Sequence, residues 1–190
     1  MKVITFAPHE IENELTRLIS EIDFQPDLVV GILNGAKFMV ETFQKSNKFN
    51  DSIFCEVKLQ RNTEKMKRSK WIAFFLKKMP YVFLNQLRKL ESIKVKAKIR
   101  KIDFSAIDLA TVDLTHFPNS PLKKILIIDD ALDSGKTIYV VKKQLQQKYP
   151  SAEIRAAVIT WTIEQSIIHP DYCLYKKVLI RYPWSKDFKH

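Results

Sequence analysis

Three carboxylates and a hydroxyl-rich turn fall together in the run Asp129-Asp130-Ala131-Leu132-Asp133-Ser134-Gly135-Lys136-Thr137. Ionised Asp129 and Asp130 only accept hydrogen bonds, which suits sugar hydroxyls or the water shell of Mg²⁺. Ser134 and Thr137 add hydroxyl donors, and Gly135 lacks the Cβ that would keep an anion off the backbone. A helix beginning at this turn adds free N–H groups and a positive dipole end. Such a set can hold a sugar phosphate, with the phosphate on Ser134, Gly135, Lys136 and Thr137 and the diol on the two acids.

The flanking residues supply the elements that would position this chemistry. Ile125 to Ile128 is a run of four aliphatic residues, long enough for a strand buried on both faces and too short for a helix. After Lys136 the apolar positions Ile138, Val141, Leu145 and Tyr149 recur at helical spacing. The unit is strand, loop, helix, and a loop at the carboxyl end of a parallel strand is where open α/β sheets bind ligands. Two plainer readings stay open. Gly135-Lys136-Thr137 also ends a nucleotide P-loop, although Asp130 stands where that motif needs its first glycine. The acids could equally serve as ordinary caps of the helix.

A second unit of the same kind precedes it. Residues 2–6 read as a short strand and 9–22 as an amphipathic helix with Ile11, Leu15, Leu18, Ile19 and Ile22 on one face. Residues 27–33 form a second buried strand that runs into Asn34-Gly35-Ala36-Lys37, followed by a helix over 38–45. Further strands are expected at 52–59, 154–160 and within 176–184, with an edge strand over 95–107 and a linker or short strand over 108–115.

The chain has 190 residues, 46% hydrophobic and 28% charged, which fits one globular domain with a full core. Cys55 and Cys173 have no ligand spacing and point to a reducing compartment. The amino terminus lacks a positive-then-apolar signal pattern, so a cytoplasmic protein is expected. His9, His116, His169 and His190 are scattered and make no metal cluster.

The net charge of +11 is concentrated. Residues 61–101 hold 14 Lys or Arg against Glu64 and Glu91, while the other 149 residues hold 18 basic and 19 acidic side chains. A near-neutral domain therefore carries one basic insert, at about 61–100. It has no glycine, and its single proline, Pro80, separates two expected helices over 64–78 and 81–92. Trp71, Phe74, Phe75, Tyr81, Val82, Phe83 and Leu84 make it aromatic as well. Lys77, Lys78 and Pro80 interrupt that run, so no transmembrane segment is expected. Three roles remain open: contact with nucleic acid, contact with an anionic membrane surface, or a helical cap over the site or against a second subunit, its lysines steering an anionic substrate.

The run 129–137 resembles the ribose-phosphate signature of the type I phosphoribosyltransferases: two acids, two apolar residues, Asp, Thr or Ser, Gly, any residue and Thr, after a buried strand. The match has no gaps. The resemblance implies an α/β fold, a mostly parallel central sheet flanked by helices, with a small hood from the carboxyl-terminal strands and here the basic helical insert. It implies transfer of ribose 5-phosphate from phosphoribosyl pyrophosphate (PRPP) to a nucleobase-like nitrogen, with release of pyrophosphate and with Mg²⁺ as cofactor. In the purine branch the turn at Asn34-Gly35 would offer backbone N–H groups to pyrophosphate, Asp129 and Asp130 would face the diol and Mg²⁺, directly or through water, and Asp133 would shuttle the acceptor's proton. Tyr182-Pro183-Trp184 is similar to the Phe/Gln-Pro-Trp ending of the xanthine–guanine branch, and a homodimer is implied.

The departures concern the base. The family reads a purine oxygen with a lysine at the end of the strand after the ribose-phosphate helix, where this chain has Ile159-Thr160-Trp161. Leu179, next to Ile180, stands near the place of the family's stacking aromatic. Base-site candidates are thus Trp161, Leu179 and Ile180, with a core role for Trp161 equally open. A non-catalytic sensor of PRPP or nucleotides, its insert bound to nucleic acid or an acidic partner, is the alternative these departures raise.

Overall fold

Unbroken aliphatic runs build the centre of the molecule. The structure, a computed structural model, describes residues 1–33, 35–58, 79–99, 112–185 and 187–189. Five strands form a parallel sheet in the order β3 (Ile53–Lys58), β2 (Leu28–Leu33), β4 (Lys124–Leu132), β5 (Glu153–Trp161), β6 (Tyr172–Lys176). In β2, β4 and β5 successive apolar side chains go to opposite faces, and both faces are covered, as parallel sheets require. Helices α1 (Pro8–Glu21) and α2 (Lys37–Lys45) pack on one face through Ile11, Leu15, Met39 and Phe43. Helix α4 (Lys136–Lys148) packs on the other through Ile138, Val141 and Leu145.

Local signals set the element ends. Pro8 opens α1, and the Ala7 N–H is donated to Glu10 Oε2 at 2.6 Å, satisfying a donor the helix leaves over. The Asp27 carboxylate accepts the Lys123 and Lys124 N–H groups at 2.7 and 2.9 Å, aligning the starts of β2 and β4.

Three expectations need correction, and one strand comes in addition to those expected. Strand β4 does not stop at Ile128: Asp129, Ala131 and Leu132 pair with Val158, Thr160 and Trp161, so the diacid lies within the strand and the loop shrinks to Asp133–Gly135. Residues 95–99 are not an edge strand but the end of one helix, α3 (Tyr81–Ile99). Val95, Ala97 and Ile99 alternate as in a strand, but the intervening lysines are good helix formers and no Gly or Pro interrupts the run. Tyr172–Lys176 forms β6, which lacks aliphatic alternation and pairs at the sheet edge. The hood is not carboxyl-terminal alone: β7 (Val178–Arg181) pairs in parallel with the amino-terminal β1 (Lys2–Thr5). The expected helix over 64–78, with Trp71, Phe74 and Phe75, lies outside the described residues, as do residues 100–111.

A buried cluster fastens α3 to the hood. Arg181, 1% exposed, donates from Nε to Asp187 Oδ2 at 2.9 Å, and its other nitrogens reach Thr5 and Asn85. Arg88 of α3 donates to both Asp187 oxygens and to the Ile180 carbonyl. Burial alone would raise the Asp187 pKa, but hydrogen bonds from Arg88 and Arg181 outweigh it and bring it to about 2.

Candidate functional site

The chain leaves the two central strands in opposite directions. From β2 it passes through α2 on one face to β3; from β4 it passes through α4 on the opposite face to β5. The carboxyl ends of β2 and β4 therefore border the crevice where open α/β sheets bind ligands. Of the residues the sequence marks out, Gly35 is at one lip and Asp129 to Thr137 at the other. Asn34 lies outside the described residues.

The loop after β4 is shaped by one glycine. Gly135 has φ +79°, and a Cβ on it would meet Ile168 Cγ2 at 2.8 Å and Ile168 N at 3.2 Å. The Ile167 N–H is donated to the Ser134 carbonyl at 3.0 Å, so residues 167–168 brace the turn from below. Gly135 is the N-cap of α4 and no side chain caps that helix. Ser134 Oγ accepts only a long bond, 3.4 Å, from the Lys136 N–H. The first-turn N–H groups, with the Ser134 and Thr137 hydroxyls, form a cradle suited to a phosphate.

Asp130 connects the two lips. A Cβ placed on Gly35 would lie 2.1 Å from Asp130 Oδ2, so only glycine leaves room for that carboxylate. Asp130 Oδ2 accepts the Trp184 Nε1–H at 2.7 Å, and the Asp130 carbonyl accepts the Tyr182 hydroxyl at 2.7 Å. The Tyr182 and Trp184 rings stack at 4.9 Å, with Phe38 of α2 5.7 Å from Trp184 on centroids. Burial raises the Asp130 pKa; the Trp184 bond opposes this and the Asp133 charge adds to it. Burial, with the charges of Asp130, Asp129 and Asp133, pushes Tyr182 well above its usual range, so its hydroxyl stays a donor. Asp129 is buried, 9% exposed, and its Oδ1 accepts the Asp130 N–H at 2.9 Å.

Asp133 is exposed at the start of the loop, and its Oδ1 accepts a hydrogen bond from the Thr162 hydroxyl. It opens onto a cleft of about 860 Å³ between the hood and α3, lined among others by Leu179, Leu84, Arg88 and Lys98. Leu179 thus shares a cavity with Asp133. Ile180, adjacent on β7, faces the core instead, 4% exposed. Trp161 does not line this cleft: its Nε1–H is donated to the Ile163 carbonyl and Ser166 Oγ at 2.8 Å, with His169 and Lys176 against the ring. Sequence reasoning assigned no role to Trp184, Tyr182 or Thr162. The aromatic ending was visible, whereas nothing local marks Thr162 as the partner of Asp133.

Among the described residues no group of three or more His, Cys, Asp or Glu could cage a metal. Asp129 and Asp130 do fit Mg²⁺ in its usual mode, in which one or two carboxylates and water share the ion with substrate oxygens. Gly35, with no Cβ, lets the Asp130 carboxylate lie against the turn after β2, where such an ion would be shared.

No protein-family model matches the sequence, and no curated protein matches it. Solved structures do match the fold. A purine phosphoribosyltransferase from Pyrococcus horikoshii superposes with a TM-score of 0.58 at 15% identity, covering 97% of this chain and 94% of its own. The xanthine–guanine–hypoxanthine phosphoribosyltransferase of Helicobacter pylori gives 0.62 at 13% identity, covering 96% and 93%. A hypothetical protein from Neisseria gonorrhoeae with bound ppGpp gives 0.54 at 14% identity, covering 96% and 89%. The chain has the type I phosphoribosyltransferase fold, α/β with a parallel sheet flanked by helices.

Proposed function

We propose that the protein transfers ribose 5-phosphate from PRPP to a nucleobase-like nitrogen, releasing pyrophosphate. The observation that carries this reading is the meeting of Gly35, Asp130 and the uncapped start of α4 at the switch point of the sheet. The 5-phosphate would rest on Ser134, Gly135, Lys136 and Thr137, and the diol would face Asp129 and Asp130. Asn34 and Gly35 would present backbone to the pyrophosphate. Mg²⁺, held by Asp129 and Asp130 directly or through water, would neutralise the leaving group. As pyrophosphate departs, positive charge grows at the anomeric carbon, and the fixed carboxylates stabilise it without reorganising. Asp133, exposed at the mouth of the cleft and oriented by Thr162, is suited to accept the proton of the attacking nitrogen.

The cleft supports an acceptor site between Leu179 and α3, with Trp161 and Ile180 outside it. Asp133→Asn should lower turnover by about 10²–10⁴-fold, the usual worth of a general base, and leave PRPP affinity nearly unchanged. A panel of nucleobases assayed for pyrophosphate release, wild type against Asp133→Asn, tests this; equal turnover by both proteins rejects the role.

One observation favours a second reading, a regulatory protein that senses PRPP or a related phosphorylated nucleotide. Trp184 already occupies one oxygen of Asp130, as though the protein's own ending stood in for a ligand. Titration with PRPP and with ppGpp, the ligand of the Neisseria protein, separates the two. Tight binding of either without pyrophosphate release from any base supports the sensor.

A further inference from the structure

Most of the insert's charge finds no use in the proposed transfer reaction, and α3 shows where part of it goes. One side of α3 is fastened: Leu84 is buried, Arg88 is paired with Asp187, and Asn85 accepts from Arg181. The opposite side is open and apolar. Val82 is 70% exposed, Ile93 64%, Phe83 59% and Leu90 53%. Val82 and Ile93 are eleven residues apart and Phe83 and Leu90 seven, separations that return to nearly the same azimuth on a helix. These side chains therefore form a stripe along three turns. Lys89 and Lys96 fall on one margin of the stripe and Lys94 on the other, where it also borders the cleft. The helix has one acid, Glu91, and it faces the cleft on the fastened side, as Lys98 does.

We propose that this face of α3 docks on the surface of a bilayer containing anionic lipid. Val82, Phe83, Leu90 and Ile93 enter the boundary between headgroups and acyl chains, and Lys89, Lys94 and Lys96 meet the lipid phosphates. The charge pattern selects this occupant. A second copy of the chain would bring lysine margins against lysine margins. Nucleic acid would satisfy the lysines but leave the four apolar side chains facing phosphate and water. An anionic bilayer surface satisfies both, as it does for interfacial amphipathic helices. Docking of this kind needs no spanning segment, and no helix among the described residues is long and apolar enough to cross a membrane. The proposal is independent of the transferase reading.

The test is flotation of the full-length protein with vesicles of phosphatidylcholine alone and of phosphatidylcholine with about 30% phosphatidylserine, at low and high salt. The protein should float with the anionic vesicles, less so at high salt, and stay behind with the neutral ones. Phe83→Gln/Leu90→Gln should weaken partitioning at least about tenfold. Each of Lys94→Ser and Lys96→Ser should weaken it about fivefold. All four positions are exposed, so far-ultraviolet circular dichroism and the urea midpoint should not change. The proposal is overturned if the protein ignores anionic vesicles, or if Phe83→Gln/Leu90→Gln floats as wild type does. It is also overturned if the wild type is a dimer that this variant converts to monomer. Salt-sensitive binding to RNA or DNA that survives the loss of Phe83 and Leu90, without flotation, would give the face to nucleic acid instead.

Discussion

Gly35→Ala tests whether the turn after β2 and the diacid of β4 act as one site. The added Cβ would fall 2.1 Å from Asp130 Oδ2, 2.3 Å from Cγ and 2.7 Å from Oδ1, where ordinary contact begins near 3.4 Å. The carboxylate must therefore retreat by about 1.3 Å, and a short aspartate side chain cannot do this while keeping its 2.7 Å bond from Trp184. A hydrogen bond to a charged group is worth about 1.5–3 kcal/mol. If the displaced carboxylate loses one such bond to the ribose diol, PRPP affinity in the presence of Mg²⁺ drops about 10–100-fold. Isothermal titration reads this directly. The double variant Gly35→Ala/Asp130→Ala should bind no worse than Asp130→Ala alone, because the clash acts through a side chain no longer there. Wild-type affinity in Gly35→Ala, or full additivity in the double variant, refutes the coupling of the two lips.

Three further outcomes follow from burial and backbone geometry. Burial raises the Asp130 pKa, so ionising it costs folded-state stability as pH rises through that raised value; Asp130→Asn should be more stable than wild type to urea at pH 7, with the gap closing below the ordinary carboxylate pKa of 3.8, while PRPP binding is lost. Asp187→Ala strands the buried Arg181 and should cost about 3–5 kcal/mol in chemical denaturation. Because the Asp187 pKa is lowered to about 2, its contribution is present above the unfolded value of 3.8 and fades as pH falls towards 2, so the gap to wild type should narrow over that window. Gly135→Ala combines a left-handed φ of +79°, worth about 1–2 kcal/mol for an alanine, with contacts of 2.8–3.3 Å to Ile168; the melting temperature and PRPP affinity should fall together.

The parts of the fold that were legible in sequence are those where one face is dry. The aliphatic runs of β2, β4 and β5 and the 3.6-residue spacing of α1 and α4 are imposed by burial and survive any neighbour. The end of β4 was not legible, because Asp129 and Asp130 look like loop residues until the partner strand β5 is known to continue beside them. Strand β6, Tyr172-Cys173-Leu174-Tyr175-Lys176, pairs on one side only and is partly exposed, so burial writes no alternation into it. Helix α3 was legible to residue 92 but not beyond: it is fastened on one side and apolar on the other, and no single hydrophobic stripe marks where its period ends. The polar run 129–137 stands out in the sequence by its residue types, whereas the dependence of Asp130 on Trp184 and of Asp133 on Thr162 joins distant parts of the chain and has no local mark.

The two halves of the proposed reaction stand on different parts of the fold. The sugar-phosphate half rests on strand ends and a helix start, positions fixed by the sheet, and its dimensions cannot change without remaking the core. The acceptor half is walled by Leu179 of the hood and by α3, and these meet through one cluster, Arg88 and Arg181 on Asp187. A wall carried on a separate helix can be altered while the sugar-phosphate half stays as it is. The cleft of about 860 Å³ exceeds what a bare nucleobase fills, and no lysine stands at the end of β5 to read one. Acceptor selectivity, on the proposed reading, therefore belongs to α3 and not to the sheet. Exchange of Lys98, which lines the cleft, should then change which acceptors turn over while leaving PRPP affinity where it was.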